Sequence, residues 1–64
     1  MFKITNKYGK SVTVMMRMEE RTVFNSEILS NIICDFLNKK ESNPDWLVNS
    51  FDIVACRPYK VERV

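Results

Sequence analysis

The chain lacks histidine entirely and carries one glycine, two prolines and two cysteines in 64 residues. These shortages exclude most chemistry. Without an imidazole there is no side chain that titrates near neutral pH to serve as general base, and none to activate a cysteine or serine nucleophile. Two cysteines alone cannot complete a tetrahedral zinc site, so no metal and no cofactor is expected. Long apolar runs are missing as well. Polar residues interrupt every hydrophobic stretch well short of the roughly 18 residues a membrane-spanning helix requires. The amino end, Met1-Phe2-Lys3-Ile4-Thr5, lacks the charged region and apolar run of a secretory signal, so the expected location is the cytoplasm, that of the host if the protein is viral. In that compartment Cys34 and Cys56 are expected as reduced, buried, small hydrophobes.

What is present suits one small folded domain spanning residues 1–64. Hydrophobic residues make up 45% of the chain and charged residues 28%, with a net charge of +2, which excludes disordered and fibrous classes. So short a chain cannot enclose a catalytic cleft, and its margin of stability is narrow. Binding to a large partner, or pairing as a homodimer rather than remaining a monomer, would help it.

Hydrophobic periodicity predicts a helix from about Ser26 to Lys40. At 100° per residue Ile28, Leu29, Ile32, Ile33, Phe36 and Leu37 form one apolar arc, opposite Glu27, Asn31, Cys34, Asp35 and Asn38. Asn25 is the expected N-cap, and Asn43-Pro44 forbids continuation. Two alternating segments precede the helix, Phe2–Thr5 and Ser11–Met18, joined by a turn holding the single glycine, Gly9. After it, Trp46-Leu47-Val48 leads into a third predicted strand, Phe51–Arg57, which Pro58 terminates. The tail, Tyr59–Val64, is left to extend as an edge or to fray. The expected fold is α+β, of order β-β-α-β, with a three-stranded antiparallel sheet (order 2-1-3) and the helix on one face.

A plain structural role explains most of the charged and aromatic groups. Lys3, Lys7, Lys10, Arg17 and Arg21 gather in the amino-terminal half, but a net charge of +2 is low for a nucleic-acid binder. Nucleic acid is therefore the weaker alternative. Glu19, Glu20, Asp35, Asp45 and Asp52 have no cleft to face, and Cys34 has no activating base. Trp46 suits a cap on the core. Arg57-Pro58-Tyr59, at the end of the last predicted strand, suits an exposed and rigid contact point, because arginine and tyrosine dominate protein–protein hot spots.

The segment Phe51-Asp52-Ile53-Val54-Ala55-Cys56-Arg57-Pro58, closing a chain of β-β-α-β order with a tryptophan just upstream, resembles the small phage-encoded inhibitors of bacterial RNA polymerase from podovirus-type coliphages. The resemblance implies a similar length and element order, and a last strand running into Arg-Pro. It also implies binding to the jaw of the largest polymerase subunit, which blocks open-complex formation. That family carries two arginines at alternate positions of the last strand. Here Arg57 matches the second and Ala55 stands at the first.

The sequence thus points to a non-catalytic protein-binding inhibitor or modulator of phage origin acting on host RNA polymerase. The alternatives are an inhibitor of a host nuclease or antiviral defence complex, and a nucleic-acid-binding module using the basic hairpin. The expected contact residues are Arg57 and Tyr59, with Lys3 and Arg17 from the hairpin. Arginine suits an acidic partner because its planar fork binds carboxylates bidentately.

Overall fold

A computed structural model describes residues 1–49 and 51–64. Its elements, in chain order, are β1 (Phe2–Thr5), β2 (Val14–Met16), β3 (Glu19–Arg21), β4 (Val23–Phe24), α1 (Glu27–Lys39) and β5 (Lys60–Arg63). The fold is α+β. A three-stranded antiparallel sheet has order β4-β1-β5, and a separate two-stranded hairpin pairs β2 with β3. The first strand is central, as expected, and the last strand runs antiparallel beside it. The other neighbour differs from expectation. It is β4, paired through Phe2 with Phe24 and Lys3 with Val23, not the Ser11–Met18 segment.

Ser11–Met18 does not persist as one strand: turns bound it at both ends, and after Val12 it leaves β1, with Thr13 and Met15 bonding instead to Val48, Asn49 and Trp46. Asn6 organises the first: its side-chain carbonyl accepts from the Tyr8 and Lys10 amides, and Gly9 takes φ +80 there. The chain then touches β1 only briefly, through a Thr5–Ser11 bridge and the Val12 amide donating to the Ile4 carbonyl at 2.8 Å. Arg17 and Met18 next reverse the chain, with φ of 50 and 64. Positive φ at both central residues marks a type I′ turn, whose twist matches that of the flanking strands.

The predicted third strand, Phe51–Arg57, is not a strand. The Asp52 carboxylate accepts from the Val54 and Ala55 amides, and the Cys56 amide donates to the Asp52 carbonyl at 3.2 Å. Such local side-chain bonding competes with sheet ladders, and it winds the segment into a single helical turn. Burial follows: Ile53 and Cys56, three apart, are buried, while Val54 and Ala55 are exposed. The place beside β1 is taken instead by the tail, as the edge strand β5.

The helix occupies nearly the expected span. Its N-cap is Ser26 rather than Asn25, with the Ser26 hydroxyl accepting from the Leu29 amide at 3.1 Å. Its inward face is turned by roughly a quarter of a revolution from the apolar arc. Ser30, Ile33, Cys34 and Leu37 are buried, whereas Ile28 and Ile32 remain 75% and 61% exposed. Ser30 can be buried because its hydroxyl donates to the Ser26 carbonyl at 2.8 Å, which satisfies the group. Two small residues, Ser30 and Cys34, thus lie on the side facing the sheet. The core gathers Ile4, Val12, Val14, Phe24, Leu37, Ile53 and Tyr59, with Phe36 and Trp46 in tilted contact at 5.2 Å beside it.

Candidate functional site

Arg57 and Tyr59 are engaged inside the molecule. Arg57 donates from Nε to the Leu37 carbonyl at 2.8 Å and from its guanidinium nitrogen to the Lys40 carbonyl. These carbonyls belong to the helix end, where the last four have no intrahelical donor and the dipole is negative. The cation therefore caps α1. Tyr59 is 4% exposed, which corrects the expectation of an exposed contact. Its hydroxyl donates to the Ile53 carbonyl at 3.0 Å. Burial, followed by the charge of nearby Cys56, pushes the phenol up to about 12. Asn38 fixes the same residue from the helix, accepting from the Tyr59 amide at 2.8 Å and donating to its carbonyl at 3.0 Å.

Lys3 lies in the centre of the sheet, half-buried, opposite Glu62 of β5 and Val23 of β4. Alternation puts it on the face opposite Ile4, away from the helix. Arg17 sits at the tip of the β2–β3 hairpin. It is exposed, and among the described residues it makes no ion pair, whereas Arg21 is paired with Glu19 at 3.0 Å. Arg17 helps line a depression of about 210 Å³ together with Met16, Arg21, Phe24, Ser26 and Leu29. Arg17 and Arg57 therefore mark opposite ends of α1, about 16 Å apart along its axis. The four expected contact residues do not converge.

Two residues of the predicted apolar arc, Ile28 and Ile32, are exposed, and so is Met18 at the end of the predicted second strand. Met18 is 95% exposed at the hairpin tip, and Ile28 and Ile32 flank a groove of about 450 Å³ together with Asn31, Asp35, Asn38 and Val61 of β5. For Met18 no signal was available, because eight alternating residues lie within the ordinary range of strand lengths and Arg17-Met18 carries no glycine or asparagine to mark a turn. For Ile28 and Ile32 no signal existed in the sequence, because any apolar arc reads as inward.

Both cysteines are buried free thiols. Burial and the neighbouring Asp35 carboxylate push the Cys34 thiol up, which favours the protonated, unreactive form. Among the described residues no three cysteine or carboxylate groups gather as a metal site, and no helix is long and apolar enough to cross a membrane. No protein family, curated protein or solved structure matches this chain.

Proposed function

We propose that this chain is a small non-catalytic protein-binding inhibitor or modulator that engages a larger partner through the tip of the β2–β3 hairpin. The observation that carries this reading is the tip itself. Arg17 and Met18 both hold positive φ, and Met18 is 95% exposed. Left-handed geometry at a non-glycine residue costs about 1–2 kcal/mol, and the Met18 side chain, standing in water, gains no burial in return. Strain of this kind concentrates at sites of function. Methionine and arginine are also enriched in the buried centres of interfaces. Arg17, without an ion pair among the described residues and beside a depression that Met16, Phe24 and Leu29 help line, selects an acidic partner surface.

Host bacterial RNA polymerase is the target, on the strength of the sequence resemblance to phage inhibitors of that enzyme. The contact shifts from Arg57 to Arg17, because Arg57 is held by the helix end and Arg17 has no ion pair among the described residues. The test is retention from a nuclease-treated bacterial lysate by the immobilised chain and by Arg17→Glu. The parent should retain the largest polymerase subunit. The variant should lose it, with an unchanged melting temperature. A nuclease or defence complex retained with the same dependence on Arg17 replaces the target but keeps the protein-binding reading. Retention that ignores Arg17→Glu, or that requires nucleic acid, overturns it.

A further inference from the structure

The outer edge of β5 carries backbone groups that the fold leaves unpaired, and their positions follow from the ladder. In an antiparallel pair, residues alternate between exchanging hydrogen bonds with the neighbour and pointing away from it. The Val64 amide donates to the Met1 carbonyl at 2.8 Å, so Val64, Glu62 and Lys60 turn towards β1. Tyr59, Val61 and Arg63 turn outwards. Tyr59 agrees with this assignment, because its amide and carbonyl are both taken by the Asn38 side chain. Val61 and Arg63 have no such partner among the described residues. An open edge of this kind is a template for another strand.

We propose that the chain forms a twofold-symmetric dimer in which β5 pairs antiparallel with β5 of a second copy, centred on Val61. Charge selects that centre. With Val61 opposite its own copy, the two exchange both amide–carbonyl bonds, and Lys60 of each chain stands opposite Glu62 of the other. Centring on Glu62 or Arg63 sets like charges directly across, and a centre between Val61 and Glu62 sets Lys60 against Arg63. Like charges facing each other across strands are destabilising. Among registers that set the outward-facing residues of both copies opposite each other, only the Val61 centre pairs acid with base twice. The result is a six-stranded sheet, β4-β1-β5-β5-β1-β4, with both helices on one face.

The same geometry accounts for the exposed isoleucines. Val61 lies on the helix side of the sheet and borders the groove that Ile28 and Ile32 flank. A twofold axis at Val61, perpendicular to the sheet, sets the two grooves against each other and covers Ile28 and Ile32 of each copy. The interface is isologous, so it closes at two copies and does not propagate. It leaves the β2–β3 hairpin free and does not depend on what that hairpin binds.

The decisive experiment uses charge reversal in two complementary variants. Sedimentation equilibrium of the parent should give twice the 7.6 kDa chain mass, falling to the monomer on dilution. Lys60→Glu and Glu62→Lys should each sediment as monomers, because each sets like charges across both cross-strand positions. Mixed in equal amounts, they should form a heterodimer in which acid meets base at both positions. No loss of a contact within one chain can produce that rescue. Ile32→Lys, at a position 61% exposed, should also give a folded monomer. In hydrogen exchange the Val61 amide should become protected with concentration while that of Arg63 exchanges freely, since its opposite number, Tyr59, is already occupied by Asn38. A parent that stays monomeric at millimolar concentration overturns the dimer, as do single variants that remain dimeric or a mixture that fails to associate. Protection of Val61 only in the presence of a heterologous partner would assign the edge to that partner instead.

Discussion

Two arginines occupy the two ends of the same helix and do opposite things. Arg57 is bonded to the Leu37 and Lys40 carbonyls, so its charge is matched by the helix terminus and its geometry is fixed. Arg17 stands at the hairpin tip with positive φ, no ion pair among the described residues, and a fully exposed methionine next to it. The Arg57 end is a lock. Asn38, Tyr59 and Arg57 tie the carboxyl end of α1 to the start of β5, and the polar groups there are satisfied by one another. At the Arg17 end the turn suits the twist of the hairpin but holds two non-glycine residues at positive φ, and the exposed Met18 gains no burial in return. A cation that already has partners is a poor candidate for a binding residue, and an unmatched one on a strained turn is a good candidate.

Breaking the lock should give the largest effects. Asn38→Ala removes both bonds to the Tyr59 backbone and leaves a buried amide and carbonyl without partners. Each such group costs about 1–3 kcal/mol, so chemical denaturation should show a loss of about 3 kcal/mol or more. Alkaline pH attacks the same place. The unfolded chain releases its tyrosine proton near pH 10, while folded Tyr59 holds it to about 12. Stability is therefore full below about pH 10 and falls as pH rises from 10 to 12, by about 3 kcal/mol in all. Tyr59→Phe should flatten that loss in a pH series of melting curves. Arg57→Glu should cost about 2 kcal/mol, because it strips the cap and places a negative charge at the negative helix end.

The hairpin tip should respond in the other direction and by less. Arg17→Asn with Met18→Gly supplies the pair that a type I′ turn favours. Relief of two left-handed residues should raise stability by about 1–2 kcal/mol, read as a higher denaturation midpoint. The same double variant should lose partner retention. If it gains stability and keeps its partner, the tip is a tolerated turn and the contrast between the two ends of the helix carries no functional meaning.

Some of this was legible in the chain and some was not. The helix was readable because its signals are local: an apolar period of 3.6 and a proline beyond its end, although the cap is Ser26 and not its neighbour Asn25. The turn around Gly9 was readable for the same reason. The last strand was misread because Phe51–Arg57 alternates as a strand should, yet Asp52 bonds to its own following amides and winds the segment. The true strand, Lys-Val-Glu-Arg, carries one apolar residue in four and gives almost no periodic signal. The exposure expected of Tyr59 fails for the same reason: the residue follows a helical turn rather than a strand end, and it is 4% exposed.

Composition and local pattern alone determined that this protein is one small α+β domain without an imidazole for catalysis, built on a central first strand and a single helix near residues 27–39. Tertiary structure decided which side of that helix faces the sheet and which segment completes it. Both outcomes depend on groups far apart in the chain. Ser30 and Cys34 form the buried side only because the sheet lies against them, and β5 finds β1 across nearly the whole sequence. Periodicity records where apolar side chains recur, but burial is settled by the partner surface that arrives. Here that surface left Ile28 and Ile32 in water and drew Arg57 to the helix end.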